Sequence, residues 1–176
     1  LEEVRTSTHS RVVLLDPIAY LVAAESEAVF AALQAYDEVL VCQSTVDHVI
    51  AARANMLRPE QGYLSPTLSG GVEFRPADPH QIERRQSIAA AAIELLNNKN
   101  NLRAVGDSAG KDRSPWPELA STLGQESADA VFEAKSRQVP LVGVDWSIRG
   151  FSRQVGAAAI AIQPLLTTKI SVIGID

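Results

Sequence analysis

Residues 127–156 read SADAVFEAKSRQVPLVGVDWSIRGFSRQVG, and the fold turns on how this stretch divides. Ser127 to Arg137 reads as a helix. Pro140 to Val144 (PLVGV) reads as a buried strand that stops at Asp145, and Trp146 to Gln154 as a short helix stopped near Gly156. Helix, strand and helix in such quick succession form the repeating unit of an α/β sheet.

Working outward, the same alternation continues. Arg11 to Leu15 (RVVLL) is a short β-branched and leucine run ended by Asp16-Pro17, a second buried strand. Ile18 to Tyr36 is Ala-rich with helical spacing, two short helices broken near Glu25-Ser26. Glu38 to Cys42 (EVLVC) is a strand, and Ser44 to Met56 a helix with Ser44 as N-cap and Asp47 three residues on. Tyr63 to Arg75 alternates on both sides of Ser69-Gly70-Gly71 and reads as a hairpin. Asp78-Pro79 opens the longest helix, to about Asn98, and residues 106–124 form a long loop rich in Gly, Ser, Pro and charge. Ala158 to Ile162 is a last apolar strand; Thr168 to Ile175 is either one more strand or a tail. The expected fold is a three-layer α/β/α sandwich with a mostly parallel central sheet. Residues 1–10 form an N-terminal extension, 11–163 the domain, and 164–176 a tail or the start of a following segment.

The 176 residues suffice for one domain, and 46% hydrophobic with 21% charged residues is ordinary globular composition. No apolar run reaches the ~20 residues of a membrane span; the longest, Gly156 to Leu166, is interrupted by Gln163 and Pro164. The chain starts at Leu1 rather than Met, so a piece of a longer protein, or a processed product, is expected. A lone cysteine, Cys42, excludes an internal disulfide and makes the cytoplasm the expected setting. The net charge of -5 argues against a broad nucleic-acid-binding surface, but it is uneven. Residues 1–83 hold 12 acidic and 5 basic side chains, and residues 84–176 hold 9 and 11. Carboxylates that await metal ions count as negative, so acidity does not exclude metal chemistry.

In a parallel sheet, ligands sit beyond the carboxyl ends of the strands. Asp16 and Asp145 directly follow two strands, Asp47 lies in the first turn of the helix after EVLVC, and Asp129 in the first turn of the helix before PLVGV. All four are expected at one edge of the sheet. Each alone is explained as a helix cap or a first-turn acid favoured by the helix dipole. Capping does not explain why all four should converge. Carboxylates crowded together suit hard divalent cations such as Mg²⁺ or Mn²⁺, which support phosphodiester hydrolysis by a bound water.

The stretch from Ser127 to Gly156 resembles the closing motif of PIN domains: an acid opening an Ala-containing helix, then a strand ending in Asp, then Arg and Gly. LLDPIAYLVA resembles the PIN first strand and its aspartate. CQSTVDHV resembles the second motif, where the acid is usually Glu and here is Asp47, one methylene shorter. Together LDPIAYL, QSTVDHV and VDWSIRG are similar to PIN-like domains embedded in large bacterial repeat-containing proteins. That resemblance implies metal-dependent cleavage of single-stranded RNA or DNA, RNA more than DNA, by Asp16, Asp47, Asp129 and Asp145 holding Mg²⁺ or Mn²⁺. It also implies other domains of the same chain, or copies of itself, as partners; the lack of a long apolar run gives the expectation of no membrane.

Around these acids, Ser147 stands where the family often has a polar group near the metal, and Thr45 is a candidate contact to a metal-bound water. Arg149 and Arg153, one turn apart, are candidate phosphate contacts; Arg149 also suits an ion pair. Trp146 is a candidate for stacking on a base but reads better as core, and Glu126 rivals Asp129. His48 and Cys42 have no partners at zinc-ligand spacing. Two other classes compete. One is a catalytically silent PIN-like scaffold. The other, a phospho-acceptor receiver, needs adjacent acids after the first strand, and Leu15-Asp16-Pro17 offers one.

Overall fold

The computed structural model describes residues 12–57, 62–67, 70–98, 101–106 and 115–163. The expected extension before residue 11, the tail after 163 and a strand at Thr168 to Ile175 lie outside the described residues. In chain order the elements are β1 (Val12–Leu15), α1 (Pro17–Glu25), α2 (Glu27–Leu33), β2 (Glu38–Cys42), α3 (Gln43–Met56), β3 (Gly62–Pro66) and β4 (Val72–Pro76). They continue with α4 (Pro79–Asn98), β5 (Leu102–Val105), α5 (Trp116–Leu123), α6 (Gln125–Arg137), β6 (Leu141–Gly143), α7 (Trp146–Gln154) and β7 (Ala159–Ala161).

The central sheet has the order β5-β2-β1-β6-β7. Every pair in it is parallel. The period of two along each strand divides the core. Val13, Leu15, Val39 and Val41 pack on one face with Tyr20, Val29, Val46, Val49 and Ala92 from α1–α4. Leu14, Leu40, Cys42 and Leu141 pack on the other with Leu119, Val131 and Ile148 from α5–α7. Strands buried on both faces are therefore apolar throughout, as VVLL and VLVC are. The three-layer α/β/α sandwich is the observed fold.

Local chemistry sets the breaks. Asp16 caps α1, its Oδ1 accepting from the Ala19 N–H at 2.6 Å, with Pro17 entering the helix where no N–H is needed. Ser26 ends α1 and caps α2, its hydroxyl accepting from the Val29 N–H. The Tyr20 hydroxyl donates to the Ala92 carbonyl at 2.5 Å and ties α1 to α4, while burial pushes its pKa up to about 12.

Four features differ from the sequence reading. Residues 102–105, LRAV, form an edge strand that sequence reading left unassigned; it pairs with β2, and Arg103 bonds Glu38 there. The long loop contains α5. The helix expected from Ser44 begins at Gln43, with Cys42 as an N-cap that has no side-chain cap bond, so no capping box forms. The helix expected from Ser127 begins at Gln125, which moves Asp129 into the second turn and leaves Glu126 in the first. The hairpin is present as β3–β4, a separate two-stranded sheet.

Candidate functional site

The sheet order reverses between β1 and β6. From β1 the chain builds outward to β2 and β5 on one side, then returns to place β6 and β7 on the other. A crevice opens at such a reversal, because the connections leave the two neighbouring strands in opposite directions. Asp16 follows β1 and Asp145 lies two residues past the end of β6, so these two acids stand at the reversal point, where such a crevice is expected.

Asp16 is fully buried. Its Oδ1 is committed to the Ala19 N–H, and its Oδ2 is buried without a hydrogen-bond partner. Burial pushes the carboxyl up from 3.8 to about 6; the backbone N–H groups of Ala19, Val144 and Ile18 pull it back, and the neighbouring charge of Asp145 raises it again. Neither the Val144 nor the Ile18 N–H meets Oδ2 with hydrogen-bond geometry. Gly143 makes room for that oxygen: a Cβ at this position would stand 2.8 Å from Asp16 Oδ2 and 3.4 Å from Arg149 Cγ. A glycine inside the PLVGV strand was the sequence signal for close approach, and sequence reading passed over it.

Asp145 is half-buried and caps α7, its Oδ1 accepting from the Ser147 N–H at 2.7 Å. In Asp16, one oxygen satisfies the helix while the other, buried, borders Gly143. Arg149 turns back from α7, its Nη1 donating to the Gly143 carbonyl at 2.9 Å and the Val144 carbonyl at 2.8 Å. It clasps the loop that carries Asp145. Ser147 is half-buried and Arg153 exposed on the next turn.

Asp129 is 3% exposed and accepts from the Trp116 indole N–H at 3.0 Å. Trp116, the first residue of α5, is a contact that sequence reading missed. Glu126 instead bonds His48 Nδ1 at 2.8 Å, joining α6 to α3. Asp47 is exposed and accepts from Gln43 Nε2 at 2.8 Å. The inward side of α3 presents Thr45, Val46 and Val49, and the buried hydroxyl of Thr45 has no hydrogen-bond partner. Among the described residues, no three His, Cys, Asp or Glu side chains are gathered so as to hold a metal ion by themselves. Trp146, expected in the core, is 77% exposed. Its helix buries Ile148 and Ser152, which leaves position 146 on the far side.

Residues 14–154 match the family model described as the PIN domain associated with the TPR-GreAB-C-PIN system. The chain belongs to this PIN family. The match runs from the end of β1 to the end of α7 and so includes both acids of the crevice. A PilT N-terminus domain protein from the hyperthermophilic archaeon Sulfolobus solfataricus P2 is similar over 89% of this chain and 92% of its own, with 13% identity and a TM-score of 0.48. No curated protein matches the chain. Among the described residues, no helix of this PIN domain is long and apolar enough to cross a membrane.

Proposed function

We propose that this PIN domain is a divalent-metal-dependent nuclease that hydrolyses phosphodiesters of single-stranded nucleic acid, RNA in preference to DNA. One observation carries the reading: the buried Asp16 Oδ2, without a partner, at the sheet's reversal point beside a second acid, Asp145. An unpaired buried carboxylate is costly, and a cation is what relieves it. Two carboxylates completed by water suit Mg²⁺ or Mn²⁺, which keep several waters and are usually held by one or two protein acids. The donor set therefore fits the ion. Asp16 and Asp145 would hold it, and Asp129 would join as third acid only by moving toward them from the Trp116 indole. Asp47 joins them only by leaving Gln43.

When bound, the cation supplies an activated water and neutralises charge on the phosphate. The chain supplies placement. The Ala19 and Ser147 N–H groups fix the two carboxylates, Arg149 fixes the loop between strand and helix, and Trp116 fixes Asp129. The cytoplasm suits the free thiol of Cys42. Other domains of a TPR-GreAB-C-PIN system are the proposed neighbours, in keeping with the family's description.

The exposed position of Asp47 favours a second reading, a scaffold without catalysis. Incubating wild type and Asp145→Asn, purified identically, with labelled single-stranded RNA and DNA in Mg²⁺, Mn²⁺ or EDTA separates them. A nuclease cleaves only with metal and only in the wild type. Equal slow degradation by both proteins leaves the scaffold.

A further inference from the structure

The two acids of the crevice each lead straight into an exposed apolar side chain. Two residues after Asp16 stands Ile18, 43% exposed, and one residue after Asp145 stands Trp146, 77% exposed. Tryptophan gains more than any other side chain from being covered. The second tryptophan of the chain, Trp116, is half-buried with its indole N–H bonded. Among the described residues, nothing covers the Trp146 ring or pairs with it. Trp146 occupies the first position of α7, whose start is fixed by the Asp145 cap, so it is held one residue from that acid on a helix rather than on a loop.

Two observations on charge narrow what covers Trp146. The chain carries net charge -5, and Arg149, four residues after Asp145, is committed through Nη1 to two main-chain carbonyls. Arg149 thus has little left to offer a phosphate. Base stacking on an aromatic face needs no positive charge and accepts any base, because every base has a π-face. It requires a base that is not already stacked inside a duplex. We infer that Trp146 is the platform on which an unpaired base stacks, next to the phosphodiester presented to Asp16 and Asp145, and that it confers the preference for single strands. This rests on the nuclease reading of the same crevice.

The test uses an eight-nucleotide fluorescent oligouridine, and the same strand annealed to its complement, with Mn²⁺. Wild type, Trp146→Ala and Trp146→Phe are compared for Kd, KM and kcat, with melting temperature as the control for folding. Trp146→Ala is expected to raise Kd and KM for the single strand about tenfold with kcat kept, and Trp146→Phe to restore most of the loss. Binding of wild type should quench indole fluorescence. If wild type cleaves and Trp146→Ala keeps its KM, the stacking inference falls while the nuclease stands. If kcat falls without a change in KM and Phe does not rescue, Trp146 only shapes the helix start, and the inference also falls. If wild type binds the strand through Trp146 but does not cut it, the nuclease reading fails and the platform survives. A wild type that neither binds nor cuts overturns both.

Discussion

Asp16 Oδ2 lies against the α-carbon of Gly143, so close that a single methyl group there would stand 2.8 Å from it. The contact crosses the junction of β1 and β6, where the Asp16 N–H donates to the Val142 carbonyl at 2.9 Å. The carboxylate thus borders the neighbouring strand's backbone, and the missing Cβ is what lets it stay there.

Gly143→Ala tests that relationship. The added methyl forces Asp16 or β6 to shift, and Asp16 is held at its other oxygen by Ala19. The variant should lose about 1–3 kcal/mol of stability, as overpacked cores do, and bind Mn²⁺ more weakly. Urea denaturation and calorimetric Mn²⁺ titration measure the two. Unchanged values in both would show that Asp16 moves freely and that the glycine is incidental.

Asp16 also fixes a pH dependence. Its carboxyl titrates at about 6 when folded, above its ordinary 3.8, so between those values the folded chain holds a proton that the unfolded chain has released. Metal-free stability should therefore fall as pH rises from about 4 through about 6, by roughly 3 kcal/mol. Asn caps as well as Asp and carries no charge, so Asp16→Asn should lack this decline and match or exceed wild type at pH 7 in EDTA. Mn²⁺, which selects the charged form, should stabilise wild type above pH 6 and leave the variant almost unmoved. Parallel curves for the two proteins from pH 4 to 7.5 would remove Asp16 from the account.

The acids should rank by position. Asp145→Asn is expected to lower cleavage by roughly 10³-fold, the scale seen when a group facing the reacting charge is lost. Asp47→Asn should leave activity within a small factor of wild type, because its carboxylate faces solvent and bonds Gln43. Single-turnover rates on one RNA settle the order. A loss at Asp47 as large as that at Asp145 would mean that α3 turns its acid inward when metal binds.

The contrast between Asp145 and Asp47 shows what was legible in the sequence. Asp16 and Asp145 each end an uninterrupted apolar run, and a strand buried on both faces announces itself by composition alone. Their positions at the sheet edge follow without knowledge of any contact. The facing of α3 does not, because each helical residue turns the face by about 100° and the sequence left the start of α3 one residue late. Thr45 and not Asp47 is therefore the buried residue. β5 escaped because four residues containing an exposed arginine have no period of their own; pairing with Val39–Cys42 makes them a strand. Trp146 was misread because its hydrophobicity favours a core that the Ile148 face of α7 already fills.

Arg149 decides between positioning and phosphate binding. A phosphate contact predicts that Arg149→Ala weakens nucleic-acid binding, lowers the slope of log Kd against log salt by about one, and leaves melting unchanged. The structure favours another result, because the guanidinium already serves the carbonyls of Gly143 and Val144. Removing it leaves both without that donor at the point where β6 gives way to Asp145, which should cost about 1–3 kcal/mol. Asp145 then sits on a looser loop, so Mn²⁺ affinity should fall while the salt slope stays put. Arg149→Lys should recover part of the stability, since one ammonium reaches one carbonyl more easily than two. Melting curves, Mn²⁺ titration and binding at several salt concentrations read these separately. A changed slope with an unchanged melting temperature would return Arg149 to the substrate.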